Sequence, residues 1–205
     1  MRGGIEGGVA PEIVAARRRQ TRRTLRLYGI GVAAVALLIL LIFFIYNFFA
    51  AVALGTNAHI ARADTAFARG RYAVAEGELR AAAGINSGDY TILLDLGIVL
   101  LREGRYNAAL TTLRQAEDAR RIPTAYLYAA VAGLAMHRPD LAHGDAQIGL
   151  ALAPRDAELS AALAYGDQGL GDTARGAREL AAARSDGYTG HGVRDWIANA
   201  TLEGV

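Results

Sequence analysis

The 205-residue chain contains no cysteine, and it has only four prolines and one tryptophan. Without cysteine it can form no disulfide, thiolate zinc site, iron–sulfur cluster or covalently attached haem. Lysine is also missing, so all 22 basic residues are arginines. These absences remove the cofactors and metals that depend on a protein thiolate, and we expect no cofactor.

Charged side chains are missing from the long stretch between Arg26 and Arg62. Its central part, residues 27–54, is almost entirely apolar, and a helix needs about 20 apolar residues to cross a bilayer. A secretory signal peptide has a shorter apolar region of about 7 to 15 residues. We therefore predict a transmembrane helix over residues 27–54 that is not cleaved from the chain.

The arginines are distributed unevenly along the chain. Residues 1–26 carry seven arginines against two glutamates, a net charge of +5, whereas the remainder carries fifteen arginines against eighteen acidic residues, a net charge of −3. The acidic remainder disfavours nucleic acid as a partner. A basic cluster beside an apolar run is typical of the cytoplasmic side, where it binds anionic lipid. The cluster comprises Arg17, Arg18, Arg19, Arg22, Arg23 and Arg26.

These patterns together predict a single-pass protein of the bacterial inner membrane. Residues 1–26 would be a cytoplasmic arm, rich first in glycine and then in arginine, and the domain after residue 55 would lie in the periplasm. Gly29 and Ala33 form a small-xxx-small step at which another transmembrane helix could pack. Asn47 lies among aromatic residues that indicate the outer interface, where it meets either headgroups or a partner helix.

Two segments of the chain have nearly the same sequence. GRYAVAEGELRAA at residues 70–82 is followed 34 residues later by GRYNAALTTLRQA at residues 104–116, and weaker copies begin at His137 and Gly171. A fixed period of this length is the signature of a stacked repeat architecture. Three- and four-residue spacing of apolar residues in each copy predicts two antiparallel helices.

The repeat resembles the tetratricopeptide repeat (TPR) family. Its pattern of a bulky residue, Leu-Gly and another bulky residue in the first helix is matched by Leu93, Leu96, Gly97 and Leu100. The turn and second helix match at Gly104, Tyr106, Ala109, Leu113 and Ala116. We place four copies within residues 56–190, at about 56–89, 90–122, 123–156 and 157–190. The third copy departs most, with His137 and Pro139 in place of the glycine and tyrosine.

The resemblance implies an all-α fold in which the transmembrane helix is followed by a right-handed α-solenoid of about four TPR-like repeats. One helix pair cannot bury its apolar face alone, so neighbouring pairs stack into a continuous core. Residues 191–205 follow the last repeat. Val193, Trp196, Ile197 and Ala200 have helical spacing there, which predicts a capping helix whose tryptophan closes the core. The alternative is that Trp196 anchors a partner.

Catalytic and metal-binding patterns are not evident. His59, His137, His143 and His191 have no neighbour at ligand spacing, and the sequence GDQGLGD at residues 166–172 fits a helix–helix turn in the repeat register better than a calcium loop. No phosphate loop or nucleophile elbow occurs, and no carboxylate pair is isolated in an apolar setting. We predict a protein that is not an enzyme and holds no metal.

In the TPR family, the first helices of successive repeats line a partner-binding groove. The resemblance implies a groove that is largely apolar and lacks the basic cluster that clamps a C-terminal carboxylate. We therefore expect it to bind an apolar helix or extended segment. The predicted lining comprises Asn57, Ile60, Asp64, Phe67, Thr91, Leu94, Ile98, Leu101, Arg102, Leu127, Val131, Leu134, Tyr165 and Gln168.

Two functions are consistent with this organisation. The first is a scaffold, an accessory or assembly subunit of a multi-subunit membrane complex, for example photosynthetic, respiratory, translocon or cytochrome-maturation. Its partners would be other subunits, contacted through the transmembrane helix and the repeat domain. The alternative is a membrane-anchored periplasmic chaperone that holds unfolded clients in the apolar groove.

Overall fold

The computed structural model describes the backbone of residues 11–203 and the side chains of residues 31–203 other than 33 and 51. The described chain is all α-helical. Its helices are α1 (Pro11–Ala68), α2 (Tyr72–Ile85), α3 (Tyr90–Arg102), α4 (Tyr106–Ala119), α5 (Pro123–Ala135), α6 (Pro139–Leu152), α7 (Ala157–Gly169), α8 (Thr173–Ser185) and α9 (Val193–Asn199). They form two compact units, Met1–Ala51 and Val52–Val205.

The first unit contains most of α1, which begins at Pro11, a residue suited to the first turn of a helix. Leu38, Leu40 and Phe44 are more than half exposed, as are most large apolar side chains between residues 32 and 49. The part Ala34–Ala68 is long and apolar enough to cross a membrane, although an N-terminal signal sequence would pass the same test. The six clustered arginines, Gly29 and Ala33 lie outside the described side chains.

Helix α1 continues through the boundary predicted near residue 55. Gly55 lies inside the helix, and the Thr56 hydroxyl donates a hydrogen bond of 3.1 Å to the carbonyl of Val52 one turn earlier. A single glycine ends a helix only when the following residues leave helical geometry, and here they do not. Residues 11–26, predicted as part of an arm, are likewise helical, and residues 1–10 of that arm lie outside the described residues.

The second unit comprises the end of α1 and helices α2 to α9. The turns between the helices of a pair contain a residue with left-handed backbone geometry. Gly70, Gly104 and Gly171 have φ angles of 69°, 74° and 96°, and His137 has a φ of 58° at the corresponding turn. The histidine therefore takes a conformation that usually favours glycine, so the third copy keeps the turn geometry although its sequence departs most from the repeat.

Close helix crossings depend on small residues. The α-hydrogen of Gly97 faces Leu113, and that of Gly176 faces the carbonyl oxygen of Ala164 and the side chain of Gln168. A Cβ atom added at Gly176 would lie 2.6 Å from that carbonyl oxygen, which belongs to the backbone of α7. The pair α7 and α8 therefore packs at a distance that only glycine permits at this position.

We expect Gly176→Ala to lower the free energy of unfolding by about 1–3 kcal/mol, because α7 and α8 must separate. The matched control is Gly77→Ala in α2, where an added Cβ would meet no atom within 4 Å. That change should stabilise the protein by up to about 1 kcal/mol through higher helix propensity. Urea unfolding followed by circular dichroism measures both. Equal effects of the two substitutions would contradict the close packing of α7 and α8.

Candidate functional site

The first helices of successive pairs form one surface of the second unit. Helix α3 contacts α5, and α5 contacts α7, while α4 packs between α3 and α5, and α6 packs between α5 and α7. We call the surface formed by α3, α5 and α7 the groove. This is the face on which the resemblance placed the partner-binding residues.

The predicted lining residues differ in how far they are exposed. Leu94, Ile98, Leu101 and Val131 are fully or almost fully buried. Asn57 is exposed, and the remaining nine are partly exposed. A position that faces the groove and one that faces the neighbouring helix can both carry leucine or isoleucine, so the repeat pattern does not separate them.

Residues 193–203, which we call the C-terminal segment, lie on the groove. They comprise α9 and the four residues after it, and α9 contacts α3 and α5. The prediction of a helix here matches α9. The helix contacts α3 and α5, and its Trp196 belongs to the buried cluster that includes Leu163 and Ala183 of the last helix pair. The spacing of Val193, Trp196 and Ile197 indicates which face of α9 is apolar, but it does not indicate which surface receives that face.

Trp196 is the main side-chain anchor of the C-terminal segment. It is 8% exposed, and its ring lies 5.7 Å from the ring of Tyr165 on α7 and 5.5 Å from that of Tyr188, measured between centroids. The indole N–H donates a hydrogen bond to the Glu158 carboxylate at the start of α7. Since a buried indole needs an acceptor, the ring packing and this hydrogen bond together define a pocket for an aromatic donor.

Two charged side chains of α3 bind the backbone that follows α9. Arg102 donates a hydrogen bond of 3.0 Å to the carbonyl oxygen of Ala200, and Asp95 accepts one of 2.7 Å from the backbone N–H of Glu203. The Arg102 guanidinium also lies over the ring of Phe67, 5.2 Å from its centroid. We call Asp95 and Arg102 the backbone clamp. It contacts peptide groups of an extended segment, so it selects conformation and not side-chain identity.

Beside this clamp, a cleft of about 590 Å³ remains open. Its walls include Asp64 and Phe67 of α1, Tyr72 of α2, and Arg102. One carboxylate oxygen of Asp64 is buried and has no hydrogen-bond partner among the described residues. Partial burial raises the pKa of Asp64 above its ordinary value. The cleft therefore offers an acceptor to a bound group next to aromatic walls.

The side chain of Tyr128 also lies next to the C-terminal segment. Burial, with the Glu203 and Glu158 carboxylates nearby, raises the pKa of Tyr128 to about 12. The hydroxyl therefore stays protonated at all physiological pH values. Tyr128 lines a smaller cleft of about 280 Å³ together with Trp196 and Glu158.

Ion pairs with buried carboxylates join successive repeats away from the groove. Arg114 on α4 lies 3.1 Å from Glu117 and 2.7 Å from Asp145 on α6. A second set joins Asp167 to His143 and Arg175, at 2.6 Å and 3.2 Å. The sequence analysis missed these carboxylates because most of their partners lie on neighbouring helices, which the local sequence does not indicate.

Three of the four histidines, His59, His143 and His191, lie within hydrogen-bond distance of a carboxylate. His59 lies 2.7 Å from Glu78, and His191 lies 3.1 Å from Asp195. Within the part of the chain that the structure describes, no group of three or more His, Asp or Glu side chains could hold a metal ion.

The Arg114 cluster should make stability depend on pH. Burial raises the pKa of Glu117 from its ordinary 4.5 to about 7, and burial raises that of Asp145 from 3.8 to about 6. The folded state therefore keeps protons that the unfolded chain releases. The stabilisation from these protons is complete below the ordinary pKa values and is lost as pH rises through about 7.

We expect the melting temperature to fall by about 3 °C or more between pH 5 and pH 8. Glu117→Gln removes one titrating group and should reduce that fall, whereas Asp186→Asn, at an exposed position after α8, should leave it unchanged. Scanning calorimetry at both pH values measures the difference. An identical pH dependence in all three proteins would exclude Glu117 as the source.

Comparisons with known proteins support the repeat assignment. Residues 66–134 match the family model described as tetratricopeptide repeat. No curated protein matches the chain. The solved structure of MamA residues 41–end from Desulfovibrio magneticus RS-1 is 21% identical, with a TM-score of 0.61, and the match covers 65% of this chain and 76% of that one.

Two further solved structures have the same fold. A crystal structure of MamA protein is 17% identical, with a TM-score of 0.60, and the match covers 64% of this chain and 73% of that one. MamA MSR-1 C2 is 18% identical, with a TM-score of 0.55, covering 60% and 72%. These likenesses show that the chain folds as an all-α, tetratricopeptide-like solenoid. The matched family model covers the last three residues of α1, helices α2, α3 and α4, and α5 up to residue 134.

Proposed function

We propose that the protein is a membrane-anchored scaffold, an accessory or assembly subunit of a multi-subunit complex in the bacterial inner membrane. The observation that carries the proposal is the presence in one chain of a helix with exposed apolar side chains on all sides and a tetratricopeptide-like solenoid. An apolar surface of that extent is costly in water and is satisfied in lipid. The solenoid supplies a surface for protein partners.

The orientation follows from the charges beside the apolar helix. Six arginines precede it, so the N-terminus lies in the cytoplasm, where the cluster contacts anionic lipid, and the repeat domain lies in the periplasm. Partner subunits contact the transmembrane helix near Gly29, Ala33 and Asn47. The side-chain amide of Asn47 donates a hydrogen bond of 2.8 Å to the carbonyl oxygen of Phe43. In the absence of a partner, this N–H group is therefore paired within its own helix.

The groove supports the scaffold over the chaperone. A chaperone that holds unfolded clients needs exposed apolar surface, but Leu94, Ile98, Leu101 and Val131 are buried. The open site lies beside the groove, in the cleft at Asp64 and Arg102, which combines aromatic walls with polar groups. Such a mixed site favours a defined partner over a range of unfolded chains.

Co-purification in mild detergent tests this function. The affinity tag belongs at the N-terminus, because Ala200 and Glu203 near the other end are held by the backbone clamp. We expect a fixed set of membrane proteins at integral stoichiometry. A heterogeneous mixture of secreted proteins would instead establish the chaperone function.

A substitution in the cleft identifies the surface that the partners use. Asp64→Ala should reduce severalfold the yield of a partner that binds the repeat domain. The protein should still fold, because one Asp64 oxygen has no hydrogen-bond partner and the substitution breaks no ion pair of the described residues. The control is Asp118→Ala, an exposed acid on α4. Equal yields from both variants would place the partner elsewhere.

Cysteine labelling tests the orientation, since the chain has no cysteine of its own. A single cysteine at exposed Ser87 should react with a membrane-impermeant maleimide in intact spheroplasts. Replacing Arg17, Arg18, Arg19, Arg22 and Arg23 by glutamine should reduce that labelling, because the basic cluster sets the orientation. Unchanged labelling would show that another feature sets it, and release of a shortened chain would show a cleaved signal sequence.

A further inference from the structure

The C-terminal segment occupies the groove through a small number of anchors. In this segment only Trp196 and Ala200 are buried, and Arg194, Ala198, Asn199, Thr201 and Glu203 are exposed. A segment held at a few points opens locally at a lower free energy than the helices of the core. The anchors are the aromatic pocket for Trp196, the backbone clamp for the residues after α9, and the partly buried side chains of Val193, Ile197 and Leu202, which pack against the core.

The connection to α8 permits such opening. Gly187 and Gly192 have φ angles of 109° and 111°, and they flank the short link between α8 and α9. Glycine tolerates large changes of φ and ψ at little cost, so the C-terminal segment can leave the groove while α7 and α8 stay paired. In the link itself, Tyr188 packs against Trp196, and its hydroxyl accepts a hydrogen bond of 3.1 Å from the backbone N–H of Gly192.

We propose that the C-terminal segment is a displaceable internal ligand, and that the groove binds a partner segment of the same chemistry in its place. The partner would present an aromatic side chain with an N–H or O–H donor on one turn of helix, a small residue four positions later, and then extended backbone. The donor would pair with Glu158, and the extended backbone with Arg102 and Asp95. This inference rests on the proposed function as a partner-binding scaffold.

The covalent link between α8 and α9 determines how strongly the C-terminal segment competes with a partner. A short flexible connection gives the C-terminal segment an effective concentration of about 1 mM at the groove. A free partner at micromolar concentration therefore competes poorly, whereas a partner held in the same membrane complex reaches a comparable local concentration. The C-terminal segment thus protects the groove until the protein is assembled beside its partner.

The probe for this inference is a fluorescein-labelled peptide of residues 191–203. Its binding is measured by anisotropy to the full-length chain in detergent, in three forms: unmodified, Trp196→Ala and Arg194→Ala. Trp196→Ala weakens the tethered competitor, so we expect this chain to bind the peptide at least about tenfold more tightly than the unmodified chain. Arg194 is exposed on the same helix, and its substitution should have no effect. A peptide in which Trp196 is alanine should bind none of the three.

Equal binding to all three chains, with the circular dichroism of Trp196→Ala unchanged, would overturn the proposal. If Trp196→Ala unfolds, hydrogen exchange of the unmodified chain tests instead whether the C-terminal segment opens locally. Backbone amides of residues 193–203 should exchange roughly 100-fold faster than those in the middle of α3 and α5. Exchange at the same rate as those helices would make the segment part of the core and exclude displacement.

These outcomes are separate from those of the co-purification. If the peptide distinguishes the variants but no membrane protein co-purifies, the groove is a displaceable site and the scaffold function fails. If a fixed set of subunits co-purifies equally with the unmodified and Trp196→Ala chains, and the peptide does not distinguish them, the scaffold function holds and the internal-ligand proposal fails.

Discussion

Replacing Ile98 by alanine will lower the free energy of unfolding by about 2–5 kcal/mol. Ile98 is fully buried in α3, within the cluster of residues that joins the first three helix pairs. Alanine removes three carbon atoms there, and the surrounding helices relax only partly, so a cavity adds to the lost transfer free energy. Urea unfolding in mild detergent, followed by circular dichroism at 222 nm, measures the change.

The same substitution at a partly exposed position is the control. Ile148 on α6 is 37% exposed, so Ile148→Ala should cost less than about 1 kcal/mol. The contrast separates a core residue from one that lines an open groove, which was the role predicted for Ile98. If both substitutions have the same small effect, Ile98 faces solvent, and the packing of α3 described above is wrong.

The repeat sequence predicted the paired helices because each copy carries its own local signals. A residue able to adopt positive φ ends the first helix, an aromatic residue or proline follows in the first three copies, and small residues stand where helices cross. Gly104, Tyr106 and Ala109 illustrate this in the second pair. Signals of this kind depend on neighbours in sequence, and the family model supports them over residues 66–134.

Features that depend on contacts distant in sequence could not be predicted in the same way. The C-terminal segment reaches back about 100 residues to Asp95 and Arg102, and only the folded solenoid brings these groups together. Arg102 was among the predicted lining residues, but Asp95 was missed, because an aspartate seven residues before an arginine looks like an ordinary charged position on a helix. The continuity of α1 from Pro11 to Ala68 was not predicted either, because the apolar run and the first repeat were treated as separate patterns.

Removing the arginine that neutralises two buried carboxylates should have an effect as large as that of the core substitution. Arg114 pairs with Glu117 and Asp145, whose side chains are 7% and 2% exposed. Arg114→Met keeps much of the apolar stem but leaves both carboxylates without their counter-ion. Breaking a buried pair in this way costs about 3–5 kcal/mol when the remaining group stays charged.

The cost of Arg114→Met should depend on pH in a defined direction. The pKa values of Glu117 and Asp145 are already about 7 and about 6, and loss of the arginine raises both further. At pH 5 both groups hold their protons in the folded state, so the variant loses little stability. At pH 8 the unfolded chain is fully ionised, and folding must either bury charge or take up protons, both of which are unfavourable.

Chemical unfolding at pH 5 and pH 8 measures the free energy of unfolding of Arg114→Met relative to the unmodified protein. We expect the loss of stability to be larger at pH 8. Arg178→Met is the control, because Arg178 is exposed on α8 and its loss leaves no buried carboxylate uncompensated. It should change stability by less than about 0.5 kcal/mol at either pH. Adding Glu117→Gln to Arg114→Met should restore part of the stability at pH 8, because one of the two uncompensated charges is then gone. A loss that is the same at both pH values would mean that Arg114 acts through the packing of its stem, and that its charge is not what holds α4 to α6.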